Sequence, residues 1–186
     1  MENLTETKLT SEKIYSGCIL DFYRDTVRLP NGGTAPRELT RHVGAVCIVP
    51  LLDDGRVIVE RQFRYPVNEV ITEIPAGKRD SRDEAPDDAA RRELREETGY
   101  ALRADLGAAA LDPLPQAGFS STGLTDETVQ VVFAQVERVA DAQPEPSELI
   151  EPFLLPIADV PRFLAENDTP IGTRAQLVLE AFARRR

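Results

Sequence analysis

Glu93, Glu96 and Glu97 follow Arg92 at helical spacing, and carboxylates so placed can hold a divalent cation. They close a 24-residue stretch that reads Gly77-x6-Glu84-x7-Arg92-Glu93-Leu94-x-Glu96-Glu97-x-Gly99-Tyr100. Pro86 fits a first helical turn, Asp87 and Asp88 suit the positive end of the dipole, and Gly99 suits the stop near Thr98. At about 100° per residue, the three glutamates fall within an arc of roughly 100° that also holds the small Ala89. Crowding them is unfavourable: the Glu93–Glu97 pair at i,i+4 alone costs about 0.2–0.5 kcal/mol. A hard divalent cation removes that conflict, because carboxylate oxygens are the ligands Mg²⁺ and Mn²⁺ prefer. The competing reading is a solvated helix laced with ion pairs, Asp87–Arg91 and Asp88–Arg92. The glycine fifteen residues before Arg92 and the Gly-aromatic ending favour the metal-binding face.

That helix needs a sheet to stand on, and the flanking pattern supplies one. Gly44 to Leu52 reads as a fully buried strand, Asp53-Asp54-Gly55 as a turn, and Arg56 to Arg64 as a second strand. Glu69 to Ile74 is a third, running into Pro75-Ala76-Gly77. After the helix come Leu106 to Leu111, a loop rich in Pro, Gly, Ser and Thr (Pro113 to Thr125), and a strand over Thr128 to Val136. Ala140 to Ser147 is a polar, proline-punctuated loop, and Phe153-Leu-Leu-Pro a short strand leading to a helix near Ala158 to Glu166. Thr173 to Arg185 closes the chain as an amphipathic helix with Leu177, Val178, Ala181 and Phe182 inward. Ahead of all this, residues 12 to 41 alternate apolar and polar, as from Ile19 to Leu29, and turn at Asn31-Gly32-Gly33. The expectation is an α/β fold, a mixed sheet with helices on both sides, with residues 1–42 as a small antiparallel sheet and 43–186 as the main domain.

Composition removes whole classes of function. With 186 residues, 41% of them hydrophobic, one core domain with a small appendage is the economical solution. A net charge of −10 argues against nucleic acid and against an anionic membrane surface. The apolar run Val43 to Leu52 is too short to span a bilayer. The start, Met1-Glu-Asn-Leu-Thr-Glu-Thr-Lys, lacks the apolar core of a secretory signal, so a cytoplasmic enzyme is expected. Cys18 and Cys47 form neither a disulfide framework nor a zinc site, and Cys47 reads as a buried, inert thiol. His42 is the only histidine, which leaves little room for Ser-His-Asp or Cys-His chemistry.

The 77–100 stretch resembles the signature of Nudix hydrolases, metal-dependent enzymes that split nucleoside diphosphates linked to another group. Gly44-Ala-Val-Cys-Ile-Val-Pro, Glu60-Arg-Gln-Phe-Arg-Tyr-Pro66, Glu73-Ile-Pro-Ala-Gly-Lys-Arg-Asp80 and the hairpin around Arg24-Asp-Thr-Val-Arg-Leu-Pro-Asn-Gly look like the ADP-ribose pyrophosphatase branch. The resemblance runs over roughly residues 12 to 183 and implies an α/β/α sandwich. It implies cleavage of ADP-ribose, or a related nucleoside diphosphate sugar, to a nucleoside monophosphate and a sugar phosphate. It further implies homodimers through the N-terminal sheet. An unpaired hairpin ahead of the core would expose sheet edge, which agrees with that, although the hairpin could also pack on its own core.

By the same resemblance, Glu93, Glu97 and the carbonyl of Ala76 are metal ligands, with Glu96 a further or water-mediated one, for two or three Mg²⁺ or Mn²⁺ ions. Arg92 holds the carboxylates in place, or else pairs with Asp88 on the surface. The base that takes the proton from water lies on a loop before the last strand; counting back from Phe153 selects Glu148, with Glu145 and Glu151 as runners-up. Arg64 looks like the arginine that holds a substrate phosphate, or else is an outward strand residue, and Glu73 is a further candidate for the substrate-binding set. Arg37 and Arg41 are candidates to reach substrate across a dimer, and Phe22 or Tyr23 to stack on the base.

The pattern is broken in two places. Six residues rather than five separate Gly77 from Glu84, so Asp83 has the usual spacing; the extra residue leaves the register of Glu93, Glu96 and Glu97 intact. The Ser-Pro-Gly segment of this branch is replaced by Gln116-Ala-Gly-Phe-Ser or, better placed before the next strand, Ser121-Thr-Gly-Leu-Thr-Asp-Glu127. That weakens ADP-ribose as the choice over GDP-mannose, a UDP-sugar or a dinucleotide such as FAD. A catalytically silent nucleotide sensor is the rival of another class; it is disfavoured by the retained glutamates and the lack of a spare segment for DNA binding.

Overall fold

A computed structural model describes residues 3–18 and 20–184; Ile19 and Arg185, named above, lie outside the described residues. The chain divides into two compact units, one of residues 1–44 with 118–129, the other of 45–117 with 130–186.

Unit 1 is a three-stranded antiparallel sheet of β1 (Thr7–Ser16), β2 (Asp21–Arg28) and β3 (Thr34–Arg41), in that order. The β2–β3 hairpin turns at the expected glycines, with Gly32 at φ 85°, a conformation that side-chain-bearing residues rarely adopt. β1 begins earlier than the alternation suggested, because its polar sequence TKLTSEKIYS carries little hydrophobic signal and all ten residues are exposed. The 118–129 segment joins this unit: Thr40 N–H donates to the Leu124 carbonyl (2.9 Å), and His42 N–H to Asp126 (2.8 Å). The preferred Ser121–Glu127 segment is thus tied to the end of β3.

Unit 2 is built on a mixed sheet. β4 (Ala45–Leu51), β5 (Arg56–Arg64), β11 (Thr128–Arg138, whose first two residues belong to unit 1) and β12 (Ile150–Pro156) run in the order β11-β4-β5-β12. The short β6 (Glu69–Glu73) pairs with β5, and β7 (Ala76–Lys78) with β4. β8 (Tyr100–Leu102) and β9 (Leu111–Pro113) pair with β11, while β10 (Gly118–Phe119) pairs with its first two residues inside unit 1.

Two faces of the sheet are buried by helices, which is why β4 is apolar at every position through Val49. Even residues Val46 and Ile48 pack with Ile58, Val132 and Ala134 under α1 (Pro86–Thr98), through Ala89, Ala90 and Leu94. Cys47 points to the other side, beside Arg174 and Val178 of α3 (Thr173–Arg184). Burial pushes its thiol up to about 12, in agreement with an inert residue. Between them α2 (Val160–Glu166) follows a 3₁₀ turn at Ile157–Asp159. The residues Leu106 to Leu111 form the end of a 3₁₀ segment (Ala104–Ala110) leading into β9.

One expectation fails on α3. Its fully buried residues are Ala175 and Leu179, whereas Leu177 is 68% exposed and Ala181 is also exposed. Two apolar stripes, Ala175/Leu179 and Leu177/Ala181, lie two residues apart on this helix, and periodicity cannot rank them. The smaller one, Ala175 with Leu179, fits against the core, leaving Leu177 and Ala181 on the rim of an open apolar cleft with Leu114, Val131 and Phe133.

Candidate active site

The site is assembled on α1 and the strand ends beneath it, all within unit 2. Pro86 opens the helix with Asp87 and Asp88 in its first turn, and Gly99 ends it in the left-handed conformation at φ 73°. This register turns Glu97 into the protein, 5% exposed, with Glu93 half-buried and Glu96 nearer solvent.

β7 runs directly under that face. The N–H of Ala76 donates to Glu97 Oε2 at 3.2 Å. Gly77 lies so close to Glu93 that a Cβ there would overlap the Glu93 carboxylate. The signature glycine is therefore needed for space, not for backbone freedom.

Arg92 binds inward. It donates to Glu93 Oε1 at 2.7 Å, to both oxygens of Glu84 at 3.4 Å and to the Lys78 carbonyl at 3.2 Å, and lies 3.5 Å from Glu96. Glu84 is held in turn by Asp80 N–H at 2.6 Å, and its backbone carbonyl accepts from Arg79 Nε at 2.7 Å. The extra residue before Glu84 is absorbed in this loop: Asp83, at the standard spacing, is exposed, and Glu84 is the residue that reaches Arg92. Sequence spacing undervalued Glu84, because counting residues does not show how a loop folds back.

Of the three base candidates, Glu145 and Glu151 are exposed and Glu148 is half-buried. The charge of Glu148 acts on Glu60, Glu93 and Glu97 alike. Its loop is fastened to the end of α1, since Val139 and Ala140 donate to the Gly99 carbonyl (3.1 and 3.0 Å) and Gln143 to that of Glu96 (2.8 Å).

Arg64 and Glu73 are brought together as an ion pair, Nε to Oε2 at 2.5 Å, across the β5–β6 ladder. Arg37, Arg41, Phe22 and Tyr23 belong to unit 1. Arg37 is paired with Glu6, and Arg41 with Asp25 and Asp126, each at 3.4 Å. The Tyr23 ring carries the Arg41 guanidinium at 5.8 Å and the Lys13 ammonium at 5.4 Å.

A residue given no role in the sequence reading is fully buried. Glu60 on β5 is 0% exposed, and neither carboxylate oxygen has a hydrogen-bond partner. Burial, then the charge of Glu73, raises its pKa; burial, then the charge of Glu60, raises that of Glu97. The available signal was an acid interrupting Val57-Ile58-Val59 on a strand whose alternate residues share one face.

Among the described residues no three acidic or other ligating side chains converge closely enough, as oriented, to enclose an ion. Arg92 occupies Glu93, and the Ala76 N–H occupies Glu97. The chemistry nevertheless fits a hard cation: the donors are all oxygen, Glu60 is orphaned, and Gly77 leaves the Glu93 carboxylate room against β7.

The NUDIX domain model matches residues 40–174. The chain is similar to an ADP-ribose pyrophosphatase of Bacillus subtilis (strain 168), 38% identical over 148 residues that cover 80% of this chain and 76% of that one. It is also similar to an ADP-ribose pyrophosphatase of Mycobacterium tuberculosis (strain ATCC 25618 / H37Rv), 39% identical over 126 residues, 68% of this chain and 58% of that one. A solved structure described as the crystal structure of ADP compounds hydrolase shares the fold, with a TM-score of 0.79 at 22% identity over 99% of this chain and 95% of that one. With the signature geometry on α1 and β7, these likenesses place the chain in the Nudix hydrolase family.

Proposed function

We propose that this protein is a divalent-metal-dependent pyrophosphohydrolase that cleaves ADP-ribose to AMP and ribose 5-phosphate. The observation that carries the reading is that Glu93 and Glu97 of α1 lie against β7 and feel the charge of the half-buried Glu148. The names of the relatives in Bacillus subtilis and Mycobacterium tuberculosis support the substrate.

Glu93, Glu97 and the Ala76 carbonyl would hold Mg²⁺ or Mn²⁺, with Glu96 at the rim, in a set of two or three ions. Bound there, the ions would neutralise the diphosphate and acidify water. Glu148 takes the proton as water oxygen adds to phosphorus and the bridging P–O bond breaks. Arg64, released from Glu73, grips a phosphate with its planar fork, and Glu73 shares the substrate contact. Arg92, buttressed by Glu84, fixes the Glu93 carboxylate.

Two further parts belong to the same reading. All of β1 is exposed, including Leu9, Ile14 and Tyr15, which supports a homodimer formed through unit 1, with the partner's Arg37 and Arg41 near the adenosine. No helix among the described residues is long and apolar enough to cross a membrane; a cytoplasmic location belongs to the proposal.

A panel of ADP-ribose, GDP-mannose, UDP-sugars and FAD, incubated with Mg²⁺ and resolved by chromatography, tests the proposal. AMP and ribose 5-phosphate should dominate, and EDTA should abolish their release. A clear preference for another substrate overturns ADP-ribose; phosphate-ester release insensitive to chelator overturns the mechanism.

A further inference from the structure

Strand β5 carries an acid that the hydrolytic scheme leaves unused. Glu60 lies midway along Arg56–Arg64, fully buried, with Oε1 and Oε2 both unpartnered. Alternate residues of a strand share a face, so Glu60 projects to the same side as Ile58, which packs under Leu94 and Ala90 of α1. Arg64, the phosphate candidate, follows on that face. The row therefore runs from closed core at Ile58, through Glu60, to the substrate side at Arg64. Across the ladder Glu60 stands opposite Glu73 on β6 and Pro152 on β12.

Its neighbours are the site itself. Among charged groups, Glu60 is the one that acts most strongly on Glu97, and Glu60 in turn feels Glu73, then Arg64 in the opposite sense, then Glu148 and Glu93. α1 supplies Glu93 and Glu97 from above, and the sheet supplies Glu60 from below.

A fully buried position that follows Val57-Ile58-Val59 would ordinarily be apolar, and a buried carboxylate with no partner is among the costliest groups a core can hold. Of the side-chain cations nearby, Arg64 is paired with Glu73, and Arg61, one residue on and so on the opposite face of β5, lies over Phe153 at 4.6 Å from its centroid with its Nε unpartnered. A proton alone would remove the charge yet leave buried polar atoms without partners. A divalent ion satisfies both needs.

We propose that Glu60 is an additional ligand for a divalent cation, closing from the sheet side a cluster whose helix side is Glu93 and Glu97. This rests on the metal-dependent reading above and extends the ligand set beyond the 77–100 signature.

Binding of Mn²⁺ to the full chain, followed by the loss of the free-ion electron paramagnetic resonance signal, tests it with Glu60→Gln and Glu60→Leu. In Glu60→Gln the tightest site should weaken by about 10–100-fold. Its melting temperature in EDTA should equal or exceed that of the wild type, while the rise on adding Mn²⁺ shrinks. Unchanged Mn²⁺ affinity and an unchanged metal-induced rise in a folded Glu60→Gln would overturn the proposal and leave the hydrolase reading standing. If wild-type protein binds no Mn²⁺, both fall together. Should neither variant fold, wild-type crystals soaked in Mn²⁺ decide: anomalous density within about 2.2 Å of a Glu60 oxygen supports the ligand, and density held by Glu93 and Glu97 without Glu60 overturns it.

Discussion

Gly77 shows how much of this site is decided by single atoms. The methyl group of an alanine would occupy the space of the Glu93 carboxylate, and that carboxylate, the end of a flexible side chain, is what would give way. Gly77→Ala should therefore melt near the wild-type temperature yet bind Mn²⁺ about 10–100-fold more weakly, measured by titration of the free ion. Glu148→Gln makes the complementary test. It preserves volume and removes the proposed base, so kcat should fall by about 10²–10⁴-fold with Mn²⁺ affinity little altered; wild-type turnover would remove Glu148 from the chemistry. The residues of the helix face could be read in the sequence because carboxylates at i, i+3 and i+4 must share a side. Glu84 and Glu60 were hidden for different reasons. The first depends on how a loop folds back on Arg92, and the second on which strand face lies under α1.

At the scale of elements, the C-terminus of α1 does two jobs. Gly99 ends the helix at φ 73°, and its carbonyl, with that of Glu96, anchors the 139–143 segment that leads to Glu148. A Cβ at position 99 would meet the Ala140 carbonyl at 2.5 Å and the Ala142 nitrogen at 2.8 Å, in addition to the unfavourable φ. Gly99→Ala should thus lose more than about 1 kcal/mol in urea melts and lower kcat as well, because the loop carrying the proposed base Glu148 shifts with the cap. An unaltered kcat would show that the loop is positioned independently of α1. Most elements were legible where one signal dominated: glycine turns for the hairpins, a proline start and glycine stop for α1, an unbroken apolar run for β4. α3 was misjudged in its facing, and β1 in its length, because an exposed polar strand and a helix with two apolar stripes leave periodicity without a preference.

For the whole molecule, buried acids make stability depend on pH and metal together. Glu60 is raised by burial and then by the charge of Glu73, Glu97 by burial and then by the charge of Glu60, and Glu93 by burial. Unfolded glutamate titrates near about 4.3. Above that value, and up to the raised native values, the folded state holds more protons than the unfolded chain, so stability declines as pH rises. In EDTA the melting temperature should fall from pH 5 to pH 8, by about 2–4 °C for each kcal/mol lost in a chain of this size. Saturating Mg²⁺ favours the ionised acids and should flatten or reverse that slope. Calorimetry at fixed ionic strength reads both; a melting point in EDTA that climbs over this range contradicts the assignment. Assembly is tested separately. Replacing exposed Leu9 and Ile14 of β1 by Glu should convert a dimer to monomer in light scattering, and a wild-type monomer would sink the proposed interface.

The sequence alone determined the helix with its acidic face, the order of the strands along the chain and the family resemblance, because these depend on spacing within short segments. Tertiary structure decided which carboxylates feel one another's charge, Glu60 from β5, Glu93 and Glu97 from α1 and Glu148 from the loop before β12, and it brought Glu84, from a loop with one residue too many, to Arg92. Burial and mutual repulsion arise only when separate segments are packed against one sheet, and no local pattern encodes that meeting.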